Sequence, residues 1–134
     1  MILDLEETFL VGEDTFFESV FPDSSHGVVF EDDLNSGYLY AVETKSDTIF
    51  LDAVYIYNVA NVIDKEKPCK LQIKWTDNGQ FASLLINNYC HAIFDFKNKN
   101  GYCRTAFPDS NGDWAERKKL TDDLITDLLK EHYD

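Results

Sequence analysis

The sequence predicts an α+β fold: mostly antiparallel β-sheet, with a meander over residues 70–107 and a short C-terminal helix packed on it. Three observations predict it. Apolar residues recur with period two through most of the chain. Turn formers such as Asn78-Gly79 and Asn87-Asn88 separate the periodic runs. One helical stripe alone stands out, at Leu124, Ile125, Leu128 and Leu129.

Taken in order, Thr8 to Val11 and Thr15 to Phe21 read as short strands separated by Gly12-Glu13-Asp14, and Pro22 to Ser25 as a loop. Gly27 to Glu31 and Tyr38 to Glu43 read as a hairpin across Asp32 to Gly37. Ile49 to Val59 is rich in β-branched and aromatic residues and reads as a strand, with an amphipathic helix as the alternative for so apolar a run. Lys65 to Pro68 is a charged loop. Lys70 to Trp75, Gln80 to Asn87, Tyr89 to Phe96 and Tyr102 to Phe107 are then four strands joined by short turns. Asn supplies the left-handed backbone that the 87–88 turn needs. Pro108 to Asp113 ends the sheet. Thr121 caps the helix, Asp122 and Asp123 sit at its positive end, and Leu120 can staple onto Ile125. A helix of about three turns is marginal alone and must pack on the sheet.

A chain of 134 residues is expected to form one domain, 1–134, large enough to bury a core. Its net charge is −13, and the first 64 residues hold fourteen Asp or Glu against one base, Lys45. The remaining residues are balanced, so the entire charge falls in the first half. With 44% apolar and 14% aromatic residues, the chain is too hydrophobic for a disordered acidic tail, so the acid is displayed on a folded surface. A negative field disfavours nucleic acid, acidic membrane and ATP, and speeds capture of a basic protein. The first residues lack a signal-peptide pattern, and no run approaches the roughly 20 apolar residues of a membrane span; a cytoplasmic location is therefore expected.

Several segments resemble a family of small, functionally uncharacterised bacterial proteins. They are Val28 to Asp33 with Gly37-Tyr38, Leu51-Asp52-Ala53 through Ile56 to Val59, and Trp75-Thr76-Asp77-Asn78-Gly79 leading through Leu84 to Asn87 into His91 to Phe96. Gly101 to Arg104, Phe107-Pro108 and Trp114 complete the likeness, which covers residues 27–114. Asn88 stands where that pattern leads one to expect glycine. The resemblance implies a bacterial source and a compact fold, and no activity. In size, acidity and unpaired cysteines the chain is also similar to cytoplasmic immunity proteins of contact-dependent inhibition systems.

Motifs for catalysis are weak. Cys69, Cys90 and Cys103 have no C-x-x-C spacing, which argues against a disulfide scaffold or the usual zinc site; Cys90 and Cys103 are expected to be buried thiols. His91 and Asp95 are four apart in a strand and are expected on one face, with Asp95 opposite Cys103. Yet about 13 Å separates His91 from Asp95 along a strand, too far for a relay. Glu31-Asp32-Asp33 with Asn35 lacks the spacing of a calcium loop. Arg117-Lys118-Lys119 is expected to face solvent and pair with nearby acids. No catalytic residue, metal or cofactor is expected.

The functional expectation is a binding protein, an immunity protein that neutralises a cationic toxin, such as a nuclease, by occlusion. Glu31, Asp32, Asp33, Glu43, Asp47 and Asp52 are expected to pair with the partner's bases, with Tyr38, Tyr40, Tyr55 and Tyr57 as anchors. Alternation allows only one of each neighbouring pair to face outward. The rival readings are a nucleic-acid mimic, and a ligand-binding domain or enzyme with a pocket near Trp75, His91 and Asp95.

Overall fold

Among the described residues the chain forms ten strands and one α-helix, where the patterns lead to nine strands and the helix. The computed structural model describes residues 1–22 and 25–132, so the expected loop over 22–25 lies partly outside the described residues. The strands are β1 (Ile2–Phe9), β2 (Thr15–Val20), β3 (His26–Asp32), β4 (Ser36–Glu43), β5 (Ile49–Asn58), β6 (Cys69–Trp75), β7 (Phe81–Ile86), β8 (Tyr89–Asp95), β9 (Asn100–Cys103) and β10 (Lys118–Lys119). Helix α1 spans Asp122–Leu129 behind the Thr121 cap, whose side chain accepts from the Leu124 N–H. The run 49–58 is a strand and not a helix, as its β-branched and aromatic content favours.

The strands form two sheets. One has the order β1-β6-β7-β8-β9-β10 and contains the expected meander; the other is the meander β2-β3-β4-β5. Every pairing is antiparallel except β9 with β10. Two boundaries differ most from expectation. β1 begins at Ile2 because it pairs along all of β6. β9 stops at Cys103, where Ala106 adopts a positive φ of 57° and Phe107-Pro108 is cis. The turn before the His91 strand is built as expected, with Asn87 and Asn88 both left-handed at φ 51° and 68°. In the Asn78-Gly79 turn, only Gly79 is left-handed, at φ 75°.

The sheets enclose one apolar core that includes Val28, Phe30, Leu39, Val54, Leu71, Ile73, Trp75, Leu84 and Phe94. A second, smaller core holds α1 against the far side of the six-stranded sheet: Phe81, Ile93, Tyr102, Leu120 and Leu129 are buried, and Leu124, Ile125 and Leu128 pack against them. Trp75 is fully enclosed and donates its indole N–H to Ser19 Oγ at 2.9 Å, which joins β6 to β2.

Arg117 is the main correction to the expected surface. It is buried, as is Asp52, its partner 65 residues away. The guanidinium makes a two-pronged pair with the carboxylate at 2.6 and 2.7 Å. It also donates to the carbonyls of Gly101 (3.0 Å), Ala53 (2.9 Å) and Pro108 (2.9 Å). Ala53 lies in one sheet and Gly101 in the other, so this one side chain fastens both sheets and the 104–117 segment. Gly101 is required by this close approach: a Cβ there would collide with both partners of the pair.

Two outcomes are expected from denaturant unfolding. Arg117→Leu should destabilise by about 3–5 kcal/mol, because it strands a buried carboxylate. Arg104→Leu, whose partner Asp122 is exposed, should cost about 1 kcal/mol or less through the lost pair. In the second core, Leu129→Ala should cost about 2–5 kcal/mol and the partly exposed Leu128→Ala less.

Candidate functional site

Register decides which residues of the four-stranded sheet face outward. Directly paired residues share a face, which gives three outer rows: Phe16-Glu31-Tyr38-Tyr55, Glu18-Val29-Tyr40-Ala53 and Val20-Gly27-Val42-Phe50. The rows between them, such as Phe17-Phe30-Leu39-Val54, point into the core. Helix α1 covers the other sheet, and no described helix covers these outer rows.

The outer face is aromatic. Phe50, Tyr40, Tyr38, Tyr55 and Phe107 form a continuous chain of ring contacts with successive centroids 5.0, 6.2, 5.8 and 6.0 Å apart. Phe107 reaches the patch from the 104–117 segment, which is hydrogen-bonded to the sheet edge from Tyr55 N–H to Phe107 carbonyl at 2.9 Å. Phe16, Phe50 and Phe107 are each more than half exposed. An antiparallel sheet can leave one face in water, but that face is normally polar. A contiguous exposed aromatic patch departs from that norm and makes this face the candidate contact surface.

Carboxylates flank these rings. Glu31 accepts from the Tyr40 hydroxyl at 3.2 Å, and Glu18 stands one row away. Partial burial, with the Glu31 charge second, pushes the Tyr40 phenol up to about 12. Burial, with Tyr38 beside it, also raises Tyr55. Tyr40 and Tyr55 therefore stay neutral donors at physiological pH, which suits them as anchors with a polar tip.

Of the expected binding residues, the structure gathers Glu31, Tyr38, Tyr40 and Tyr55 on this face. Asp32, Asp52 and Tyr57 are corrections. Asp52 is buried against Arg117. Asp32 is fully buried and accepts from the Gly12 N–H (2.8 Å), the Leu34 N–H (2.9 Å) and the Tyr57 hydroxyl (2.6 Å). Burial and that carboxylate drive the Tyr57 phenol far up. Asp33 is exposed, but its carboxylate builds the turn by accepting from Asn35 and Ser36 N–H, bonds that hold its pKa below the usual carboxylate range. Glu43 lies on the opposite side of the sheet, at a cleft of about 530 Å³ lined also by His26, Phe96 and Trp114. Asp47 is exposed in the β4–β5 loop. Phe16, Glu18, Phe50 and Phe107 also lie on this face, although the sequence pattern did not single them out. The alternation of Phe16 and Glu18 against Phe17 and Ser19 was a usable signal, but the side that faced out depended on the pairing.

The residues considered for catalysis are not assembled. Trp75 is enclosed in the core. Asp95 is buried and caps the 96–99 turn through the Lys97 and Asn98 N–H groups, both at 3.1 Å. It pairs with Asn100, whereas Cys103 lies opposite Ala92. The register shift that leaves His91 outside the β7–β8 ladder also interrupts the alternation that would have put it on the Asp95 face. His91 instead lines a separate cleft of about 390 Å³ with Val11, Tyr57 and Ile86. Cys103 is buried as expected, while Cys90 is partly exposed; burial still pushes its thiol up to about 11. Among the described residues no group of three or more His, Cys, Asp or Glu is placed to hold a metal. No described helix is long and apolar enough to cross a membrane.

Comparison with known proteins agrees with the resemblance in the motifs. The chain belongs to the family described as "Uncharacterized protein conserved in bacteria (DUF2251)", whose model matches residues 9–129, beyond the 27–114 that the motifs cover. An uncharacterised protein of Haemophilus influenzae is 39% identical over 82 residues, which are 60% of this chain and 51% of that protein. The chain thus spans about half the length of this curated relative. No solved structure matches it.

His91 makes a test of this geometry. Burial, with the Arg104 charge second, lowers its pKa from 6.5 to about 4. The folded state therefore binds fewer protons than the unfolded state between those values. Stability from this group is present above pH 6.5 and lost as pH falls towards 4. Relative to wild type, His91→Gln should show a shallower loss of unfolding free energy across that window, by roughly 2–3 kcal/mol. A parallel pH dependence in the two proteins would show that the imidazole is solvated.

Proposed function

We propose that this chain is a binding protein that presents the outer face of its four-stranded sheet to a basic protein, and that the partner is a cationic bacterial toxin domain, a nuclease above all, held inactive by occlusion. The observation that carries this reading is the uncovered aromatic chain Phe50-Tyr40-Tyr38-Tyr55-Phe107 with Glu31 and Glu18 beside it. The rings supply contact area at small entropic cost. The carboxylates supply complementarity to Lys and Arg. A toxin that holds phosphate with a basic cleft would lose substrate access when that cleft is seated here. Competition for the cleft is sufficient, and the role requires no catalysis by this chain. A nucleic-acid mimic is less well served, because interleaved rings do not reproduce a row of phosphates.

The long-range charge has its own part. The net charge of −13 falls within residues 1–64, which hold the whole four-stranded sheet as well as β1 of the other sheet. It would steer a basic partner towards the rings, and salt would screen that steering.

Affinity capture with growth assays tests the reading. The immobilised chain should retain a protein of isoelectric point above about 9 that arrests bacterial growth when expressed alone. Co-expression of the wild-type chain should restore growth. A folded Glu31→Lys/Tyr38→Ser/Phe50→Ser variant should not, whereas Glu6→Lys/Glu7→Lys on the distant edge strand should. Association of the captured partner should slow roughly tenfold or more between low and molar salt. Protection by the patch variant, or capture only of acidic proteins, would overturn the proposal.

A further inference from the structure

The other sheet carries a different kind of site. Beneath α1, between the helix and the outer face of β6, β7 and β8, lies a cavity of about 350 Å³. Met1, Leu85, Cys90, Ile125 and Leu129 make its walls largely apolar, Lys74 and Ser83 are its polar side chains, and the Met1 ammonium is paired with Asp77 at 3.5 Å. Ser83 is 2% exposed, and its Oγ is the one buried side-chain polar atom among the described residues with no hydrogen-bond partner. A buried hydroxyl without a partner is costly, and each such group in a native protein calls for an explanation.

Lys74 is the direct cross-strand neighbour of Ser83 in the β6–β7 ladder, so the two side chains leave the same face of the sheet side by side. It is partly buried and makes no ion pair among the described residues, although this chain has a large excess of acid. A cation and an unused hydroxyl thus converge at one end of an apolar chamber. We propose that this cavity binds a medium-chain aliphatic monocarboxylate, its carboxylate held by Ser83 and Lys74 and its chain lying between the sheet and α1.

The chemistry of each part fits this occupant. The Ser83 O–H donates to one carboxylate oxygen, and the Lys74 ammonium faces the other. Their joint demand is for an anionic acceptor, which neither an alkane nor a neutral lipid tail supplies. The volume sets the chain length. An apolar cavity of about 150 Å³ accepts benzene, so 350 Å³ suits a chain of roughly eight to ten carbons. The cavity is partly open to solvent, and α1 is its outer wall. The eight residues of α1 are too few to be a stable helix alone, and it is held by Leu120, Leu129 and the exposed Arg104–Asp122 pair. The site lies on the opposite sheet from the aromatic patch and does not rest on that reading.

Calorimetric titration of the full chain with sodium decanoate, 1-decanol and sodium acetate tests the assignment. Decanoate should bind saturably at one site per chain and raise the melting temperature, and acetate should not bind. Ser83→Ala removes an unpartnered hydroxyl, so it should fold, and it should bind decanoate about tenfold more weakly. Lys74→Met should weaken decanoate by a similar factor and leave decanol unchanged. Leu85→Trp, which fills the chamber, should abolish binding of both, whereas the Glu31→Lys/Tyr38→Ser/Phe50→Ser variant should bind decanoate as wild type does. Absence of saturable decanoate binding would overturn the proposal. So would equal affinity in wild type, Ser83→Ala and Lys74→Met, which marks nonspecific adsorption.

Discussion

One buried ion pair holds the architecture together. Arg117 and Asp52 are both removed from water, a large desolvation cost that a single contact would not offset. Here the guanidinium makes two bonds to the carboxylate and three to backbone carbonyls, so its donors are used within the protein. Because those carbonyls belong to β5, β9 and the segment between β9 and β10, the pair sets how the sheets meet at that edge. It also ties down the segment that brings Phe107 over Tyr55. The aromatic surface is therefore continuous across the sheet edge partly because an interior charge is satisfied.

The two sheets solve the same problem in different ways. Each has one face in the shared core and one face left over. The six-stranded sheet buries part of its second face under α1, through Leu120 and Leu129. The contact is incomplete, and a chamber with the Ser83 hydroxyl and the Lys74 ammonium remains. No described element covers the four-stranded sheet, and it displays rings there. A single short helix cannot cover two sheets on opposite sides of a sandwich. The chain thus keeps two surfaces of opposite character, one concave and mostly apolar, the other an open array of rings and carboxylates.

The acids of the first half serve two purposes. Asp32 organises the β3–β4 turn and anchors Gly12 and Tyr57, Asp33 completes that turn, and Asp52 neutralises Arg117. These carboxylates are spent inside the fold or on its backbone. Glu31 and Glu18, by contrast, stand on the outer face among the rings. A count of acidic residues overstates the charge available to a partner at any one place, while the overall field remains set by the total.

Much of the fold was legible from local pattern. Strands β2 to β8, the left-handed turn at Asn87-Asn88 and the Thr121-capped helix follow from period-two runs, backbone preferences and capping chemistry within a few residues of each other. Part of the patch was legible as well: Tyr38 and Tyr40 alternate with core residues, and Glu31 alternates with Phe30. Tertiary structure decided what depends on partners far along the chain. Nothing near Asp52 signals that Arg117 will reach it, so a carboxylate read as surface became the centre of the molecule. Nothing near Ser83 signals that a helix will close over it. The side of β5 that faces out, and the loss of alternation at His91, turn on bulges set by pairing with neighbouring strands. Hydrophobic period and turn propensity act over a few residues and are written in the local sequence. Desolvated charge, sheet order and cavity shape arise only when distant segments meet.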